Sequence, residues 1–88
     1  MEPVKIRDAH NKFTDFLRNK QHSNATILAY GKDIQQLASF LEEIDKHHVH
    51  DVSSDDLQAF LAKMSEQGYT PKSLSRKLNS TRTFYRFL

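Results

Sequence analysis

The chain has 88 residues, of which 38% are hydrophobic and 27% are charged, and it contains two glycines, two prolines and no cysteine. This balance is typical of one small folded domain, and it excludes a disordered chain, a disulfide framework and a thiolate metal site. No segment has the apolar core of a signal peptide or the length of a membrane span, so we expect a cytoplasmic protein.

Helical periodicity predicts a first helix over residues 4–20 and a second over residues 25–44. Their apolar stripes are Ile6, Ala9, Phe13, Phe16 and Leu17, then Ile27, Tyr30, Ile34, Leu37, Phe40, Leu41 and Ile44. Ser23 or Asn24 can accept hydrogen bonds from the free N–H groups that open the second helix. Gly31 costs about 1 kcal/mol relative to Ala inside a helix. It is therefore either tolerated or needed for the close approach of another backbone.

The opposite face of the second helix is nearly uncharged. It comprises Asn24, Ala25, Leu28, Ala29, Lys32, Gln35 and Gln36. Two interpretations of this face remain open. Leu28 and the alanines pack under the first helix, or the face is a groove-reading surface. The second is chemically reasonable because Ala and Leu contact thymine methyl groups, while Asn and Gln hydrogen-bond base edges.

Residues 45–52 have no helical period and are predicted to form a connecting loop. The loop contains His47, His48 and His50. His48 and His50 with Asp51 offer donor atoms for a metal, but they lack the usual ligand spacing and a fourth ligand. We therefore expect exposed polar histidines and no metal site.

A third helix is predicted over residues 54–67, with Ser53 or Ser54 as its N-cap and Gly68 as its C-cap. Its buried stripe is Leu57, Phe60, Leu61 and Met64, and its outward residues are Asp55, Asp56, Gln58 and Glu66. The acidic face would repel a phosphate backbone. This helix should therefore lie away from any nucleic acid.

The fourth helix, predicted over residues 71–88, concentrates the positive charge. Residues 1–70 hold eight Lys/Arg and eleven Asp/Glu, whereas residues 71–88 hold five Lys/Arg and no carboxylate, and the whole chain has a formal charge of +2. Thr70 is a suitable N-cap, and Pro71 occupies the first helical position.

A helical wheel divides the fourth helix into two faces. The apolar face is Leu74, Leu78, Thr81, Tyr85 and Leu88, with Phe84 on its flank, and the opposite arc is Lys72, Ser75, Arg76, Asn79, Arg82, Thr83 and Arg86. Lys77 lies near the edge of the apolar face, where its long side chain can extend outward. Hydroxyl and amide side chains beside cations favour contact with DNA, although a helix with five cations is often only a solvated face.

No set of residues for catalysis is present. A nucleophile, a positioned base and an anion-stabilising group do not converge on one face, and the sequence has neither a Gly-rich phosphate loop nor an H-E-x-x-H motif. Tyr30 and Tyr85 belong to apolar stripes, and Tyr69 follows the end of a helix. We expect a protein that is not an enzyme by itself and that needs no cofactor.

The order of residues carries a family resemblance. The residues concerned are Ser23, Thr26, Tyr30, Asp33, Phe40 and Leu41, then Val52, Asp56, Leu57, Phe60, Leu61, Gly68 and Ser73, and finally Arg76, Lys77, Leu78 and the run from Arg82 to Leu88. From about Phe13 to Leu88, the chain resembles the N-terminal core-binding (SAM-like) domain of phage-integrase and Xer-type tyrosine recombinases. The final run is the strongest part of the match.

The resemblance implies an all-α, compact four-helix orthogonal bundle that forms one half of a clamp around duplex DNA at a recombination half-site. The second and fourth helices would face major grooves. The implied DNA contacts are Ser23, Asn24, Thr26, Lys32, Lys72, Ser73, Arg76, Lys77, Asn79, Arg82 and Arg86. In this family strand cleavage belongs to a separate C-terminal catalytic domain.

We therefore expect a piece of a longer recombinase. Its expected partners are double-stranded DNA, the linked catalytic domain and other recombinase protomers on DNA, and the isolated domain should be monomeric. Two positions depart from the family pattern. Gly31 stands where a basic residue is common, so that one phosphate contact would be missing. Thr81 stands where an aliphatic residue is usual, and two outcomes are open: the core is weaker there, or the Thr81 hydroxyl bonds back within the helix.

Two other classes of protein remain alternatives. The first is a protein-interaction domain of SAM or death-domain type, whose basic face binds an acidic partner. The second is a free-standing helix-turn-helix repressor. The repressor is disfavoured because the turn before the last helix has no tight link to a short companion helix.

Overall fold

The computed structural model describes residues 4–88 and contains four α-helices joined by short loops. They are α1 (Ile6–Asn19), α2 (Asn24–Glu43), α3 (Ser54–Glu66) and α4 (Pro71–Phe87). Within residues 4–88 there is no strand, only an isolated bridge between Lys5 and His48 and a 3-10 turn at Val49–Asp51. The predicted all-α, four-helix fold is confirmed. No helix in the described part of the chain is long and apolar enough to cross a membrane.

The N-cap residues of α2 and α3 are Ser23 and Ser53, and both are among the caps predicted from the sequence. The Ser23 hydroxyl accepts a hydrogen bond of 3.2 Å from the backbone N–H of Thr26. At the start of α3, Ser53 accepts from the N–H of Asp56 at 3.2 Å, and the Asp56 carboxylate accepts from the N–H of Ser53 at 2.9 Å. This reciprocal capping box satisfies two N–H groups that have no partner within the helix.

The turn between α3 and α4 is equally well specified by sequence. Gly68 adopts a φ of 94°, in the left-handed region that glycine enters without strain. The N–H of Tyr69 then bonds back to the carbonyl of Met64 at 3.2 Å, which closes α3 in a Schellman motif. Thr70 accepts from the N–H of Ser73 at 3.2 Å and so caps α4. The basic helix is thereby fixed in direction relative to α3.

The hydrophobic core is centred on α2, which packs against each of the other three helices. Its fully buried large apolar side chains are Phe13, Leu17, Ile34, Leu37, Leu41, Phe60 and Phe84. The rings of Phe13 and Phe84 meet edge to face, with 5.3 Å between centroids and 74° between planes. Such a pair adds about 0.5–1.5 kcal/mol beyond burial. Phe87 of α4 also contacts the rings of Phe13 and Phe16, so three aromatic pairs join the first and last helices.

Gly31 lies where α1 crosses α2. A Cβ atom at this position would stand 3.3 Å from Cγ2 of Thr14, which is too tight without a shift of the neighbour. His10 Nε2 donates to the Gly31 carbonyl at 2.8 Å. The close approach that a glycine allows is thus made by side chains of α1, and not by a second backbone.

Leu28 of α2 and Ile44, the C-cap of the same helix, are not part of the core. Leu28 is 73% exposed and Ile44 is 41% exposed. The interpretation that Leu28 packs under α1 is therefore wrong, and so is the placement of Ile44 on the buried stripe. Leu28 remains at the surface, as the groove-reading interpretation requires.

The buried face of α4 differs from the one that the helical wheel predicts. Its buried residues are Lys77, Ser80, Thr81 and Phe84, while Leu74, Leu78 and Tyr85 are half-buried and Leu88 is exposed. The centre of the buried face thus lies about 70° around the helix axis from the centre of the predicted apolar face. The hydroxyl of Thr81 donates to the Lys77 carbonyl at 2.9 Å, which is one of the two outcomes that the sequence leaves open for it.

Candidate nucleic-acid interface

The carboxylate of Asp33 is buried between α2 and α4. Its residue is 1% exposed, and both oxygens accept hydrogen bonds from α4. Arg76 donates from Nε at 3.0 Å and from Nη2 at 2.9 Å, in the bidentate geometry that suits a guanidinium and a carboxylate. Ser80 adds a third bond of 2.7 Å. Charge-assisted hydrogen bonds therefore join the two helices.

Lys77 completes this cluster from inside the protein. The residue is 1% exposed, and its Nζ lies 3.0 Å from Oδ1 of Asp33. The same Nζ donates to the side-chain oxygen of Gln36 and lies 4.3 Å from the ring centroid of Tyr69. Gln36 also donates to the Tyr69 hydroxyl at 2.8 Å. The prediction that Lys77 extends outward is wrong, because its ammonium group is used within the fold.

The charges of the cluster do not cancel. Burial opposes the ionisation of Asp33, but hydrogen bonds from α4 outweigh burial and hold the pKa of Asp33 below its ordinary value. The hydrogen bond to Asp33 raises the pKa of Arg76. One anion with two formal cations leaves a net positive charge. Part of that charge reaches the surface, because the Arg76 side chain is 42% exposed.

We call the line along which α2 and α4 lie side by side the α2–α4 seam. Toward one end of it, Gln36 of α2 bonds to Lys77 in the first half of α4. At the other end, His22 lies in one groove with Arg86, near the end of α4. The chain directions of the two helices are therefore opposed along the seam, and the Asp33 cluster lies at the end that Gln36 and Lys77 mark.

Most of the predicted DNA contacts on α4 are at the surface. Lys72, Ser75, Arg76, Asn79, Arg82 and Arg86 are exposed, and Ser73 and Thr83 are half-buried. They do not all face the seam. Arg76 lies on it, whereas Arg82 lines a groove between α3 and α4 together with Gln58. Within residues 4–88, no ion pair involves Lys72, Arg82 or Arg86.

The predicted contacts on α2 are also accessible. Ser23, Asn24, Ala25, Leu28, Lys32 and Gln35 are exposed, and Thr26 is half-buried. The Ser23 hydroxyl caps the helix and donates to Oγ1 of Thr26 at 2.9 Å, so its proton is already used. Lys32 makes no ion pair with any described residue. The exposed arc of α2 thus carries one cation, Lys32, among neutral side chains.

The acidic side chains of α3 are not equivalent. Asp56 is half-buried, caps the helix and accepts from Nζ of Lys46 at 2.5 Å, so its prediction as an outward residue is wrong. The Lys46 bond, together with the capping bonds, lowers the pKa of Asp56. Asp55, Gln58 and Glu66 are exposed as predicted.

The loop histidines pair with neighbouring carboxylates. His48 Nδ1 and His50 Nε2 lie 3.4 Å and 3.2 Å from the Asp51 carboxylate, and His47 Nε2 lies 3.1 Å from Asp45. Among residues 4–88, no group of three or more His, Cys, Asp or Glu side chains is arranged to hold a metal ion. The loop packs near the start of α1, where the N–H of Ile6 donates to the His47 carbonyl at 2.9 Å.

The hydroxyl of Tyr85 is buried and has no hydrogen-bond partner among the described residues. Burial, with a smaller effect from the charge of Asp56, raises the pKa of Tyr85 to about 12. The phenol therefore stays neutral at physiological pH. Its packing against Phe84, at 5.4 Å between ring centroids, agrees with a role in the fold.

Removing the Tyr85 hydroxyl should not lower the stability of the folded protein. We expect Tyr85→Phe to leave the free energy of unfolding unchanged or to raise it by up to about 1 kcal/mol, because an unsatisfied buried hydroxyl contributes a desolvation penalty and no bond. Urea unfolding followed by circular dichroism measures the difference. A loss of more than about 1 kcal/mol would show that the hydroxyl is bonded in solution.

Sequence reasoning missed the partners that hold the seam together. The sequence indicates Asp33 only through the family pattern, places Gln36 on the exposed arc of α2, and counts Ser80 among the hydroxyl side chains of α4 that favour contact with DNA. Ser80 is instead buried and bonded to Asp33. One signal was available. Asp33 lies beside Tyr30 and Ile34 on the apolar stripe of α2, and a carboxylate in that position requires a buried cation. Lys77, at the edge of the apolar face of α4, is such a cation.

Comparison with known proteins agrees with this architecture. Residues 11–88 match the family model described as phage integrase, N-terminal SAM-like domain. A solved structure titled as the N-terminal domain of a phage integrase/site-specific recombinase from Haloarcula marismortui superposes with a TM-score of 0.91. That match covers 100% of this chain and 84% of the other at 12% sequence identity, so it shows the fold alone.

The curated relatives are tyrosine recombinases. The chain is 33% identical over 79 residues to tyrosine recombinase XerC of Anoxybacillus flavithermus, a match that covers 89% of this chain and 26% of the relative. It is 35% identical over 77 residues to XerC of Oceanobacillus iheyensis, covering 86% of this chain and 25% of the relative. The chain thus spans about a quarter of the length of these relatives. It belongs to the family of SAM-like N-terminal domains of phage integrases and tyrosine recombinases.

Proposed function

We propose that this domain binds duplex DNA at a recombination core half-site, as the N-terminal half of a clamp in a site-specific tyrosine recombinase. The observation that carries the proposal is the position of Arg76. Asp33 holds its guanidinium in place at the seam between the exposed arcs of α2 and α4. The Nη1 nitrogen is not used in that pair, and the side chain is 42% exposed, so we assign Nη1 to a phosphate or a guanine edge.

The surrounding charges support binding to a polyanion. Lys32 on α2 and Lys72, Arg82 and Arg86 on α4 are exposed, and none has a carboxylate partner among residues 4–88. A phosphate contact with such a side chain does not require an existing ion pair to break. We therefore assign the backbone contacts to these cations, and we leave Lys77 out of the interface.

The neutral arc of α2 supports recognition of base edges. Leu28 is 73% exposed on a small protein that buries its other leucines more deeply, and Ala25 and Gln35 are exposed on the same helix. Apolar side chains contact the thymine methyl group, and amide side chains bond to adenine in the major groove. In this proposal α4 supplies most of the affinity, and α2 supplies part of the sequence preference.

Salt dependence tests the proposal at its simplest level. With roughly three to five phosphate contacts, the logarithm of the binding constant should fall against the logarithm of salt concentration with a slope of about −3 to −4.5. Fluorescence anisotropy of a labelled 24-base-pair duplex, titrated between 50 and 300 mM KCl, measures the slope. Binding that does not change with salt would contradict the proposed interface.

Sequence selectivity requires a separate experiment. Selection from a library of duplexes with a randomised central segment should enrich a short half-site, and Leu28→Ser should reduce the enrichment without changing the salt slope. An acidic protein segment of matched charge, titrated at the same salt concentration, tests the alternative of a protein-interaction domain. If that segment binds and no duplex does, the DNA proposal fails.

Within the full-length recombinase, we propose that this domain positions a linked C-terminal catalytic domain on the half-site and works beside other protomers on the same DNA. Strand cleavage belongs to the catalytic domain in this proposal, and the buried Tyr85 has no part in it. The place of action would be the DNA in the cytoplasm.

A further inference from the structure

A groove at the end of the α2–α4 seam has a composition that the proposed interface does not explain. It has a volume of about 570 Å³ and is lined by Phe16, Lys20, His22, Thr83, Arg86 and Phe87. We call it the junction groove, because the end of α1, the start of α2 and the end of α4 meet there. Only Arg86 belongs to the predicted set of DNA contacts.

The floor of the junction groove is aromatic. The rings of Phe16 and Phe87 lie 4.8 Å apart between centroids and 37° apart in plane, and both residues are half-buried. Lys20 Nζ lies 5.8 Å from the centroid of the Phe16 ring. The ring contact favours a position of the ammonium group over the groove.

The rim of the groove carries three basic side chains. Lys20, His22 and Arg86 are exposed, and no ion pair among residues 4–88 involves any of them. No carboxylate lines the groove. The Thr83 hydroxyl already donates to the Asn79 carbonyl at 2.8 Å, so the three basic side chains supply the available donors. An anion in the groove would meet positive groups without competition from an acidic neighbour.

We propose that the junction groove binds one nucleotide of the DNA backbone, with the phosphate between Lys20, His22 and Arg86 and the deoxyribose against the two phenylalanine rings. This inference rests on the proposed function. It extends the interface to α1 and to the residue before the Ser23 cap, so that the clamp would hold the backbone at both ends of the seam. DNA is favoured over an acidic peptide because the groove is continuous with the exposed start of α2 and the cationic arc of α4.

The test compares two variants with the same loss of basic side chains. Lys20→Gln/His22→Gln alters the groove, and Lys12→Gln/His50→Gln removes one lysine and one histidine at exposed positions outside it. Binding of a 24-base-pair duplex is measured by anisotropy between 50 and 300 mM KCl, both with an arbitrary sequence and with the selected half-site. Circular dichroism establishes that both variants are folded.

The groove variant should bind both duplexes about 10-fold more weakly than the control variant, and its salt slope should be smaller in magnitude by about 1, because a phosphate contact is lost whatever the sequence. If the wild-type protein binds DNA and both variants behave alike, the junction groove is not a DNA site, although the proposed function stands. If the wild-type protein binds no duplex, the proposed function itself fails. If only binding of an acidic peptide changes in the groove variant, the groove belongs to a protein partner and the inference is overturned.

Discussion

Replacing Asp33 with Asn should lower the free energy of unfolding by about 3–5 kcal/mol, the cost of leaving a buried charge without its partner. The ammonium group of Lys77 is buried and has no second carboxylate, so its desolvation would be uncompensated. A domain of this size has a total stability of about 4–13 kcal/mol. The variant should therefore be partly unfolded at 37 °C, or close to it.

Urea unfolding of the wild type, Asp33→Asn and the control Asp55→Asn measures this effect. Asp55 is exposed on α3, and its replacement should change stability by no more than about 0.5 kcal/mol. Adding Lys77→Met to Asp33→Asn should recover part of the loss, because the unpaired cation is then removed. If Asp33→Asn is as stable as the control, the cluster does not hold α2 to α4 in solution.

The same comparison has a defined pH dependence. The pKa of Asp33 is lower in the folded protein than its ordinary value, so its stabilising contribution is complete above the unfolded pKa of about 4. The contribution is lost as the pH falls through the folded pKa, because the folded carboxylate must then be protonated. The stability difference between the wild type and Asp33→Asn should therefore shrink in acid and remain constant from about pH 5 to 7.

Replacing Arg76 with Ala should weaken duplex binding by about 10-fold or more, because the proposal gives this side chain a direct contact at the centre of the interface. Arg76→Lys should recover only part of the loss. Lysine keeps the positive charge, but its ammonium group lacks the planar set of donors with which a guanidinium bonds to Asp33 and to DNA at the same time. Anisotropy measures both dissociation constants, at a temperature where circular dichroism shows each variant to be folded.

The control for this experiment is Asp55→Ala. Asp56 is unsuitable, because it caps α3 and pairs with Lys46, so that its loss would disturb the fold. Asp55→Ala should leave binding unchanged or strengthen it slightly by removing a negative charge. Equal losses in Arg76→Ala and Asp55→Ala would mean that DNA meets a different face of the domain.

Local sequence signals were sufficient for the helices and their ends. Ser23 and Thr70 cap α2 and α4 as predicted, and Gly68 provides the left-handed residue that closes α3. These features depend on interactions within a few residues, which a periodic pattern and a cap residue specify directly. The same holds for the exposed cations of α4, whose separation from most of the apolar side chains can be seen on a helical wheel.

The sequence by itself thus determined a four-helix domain with a basic last helix, and the order of its residues indicated the recombinase family. Only the tertiary structure decided how α4 is turned. The apolar residues alone predicted a face through Leu78 and Tyr85, but Asp33 lies in the core between the helices and draws Lys77 and Ser80 inward. These partners are separated from Asp33 by 44 and 47 positions along the chain. No local pattern contains that pairing, because a buried carboxylate is stable only with partners that the fold itself brings to it.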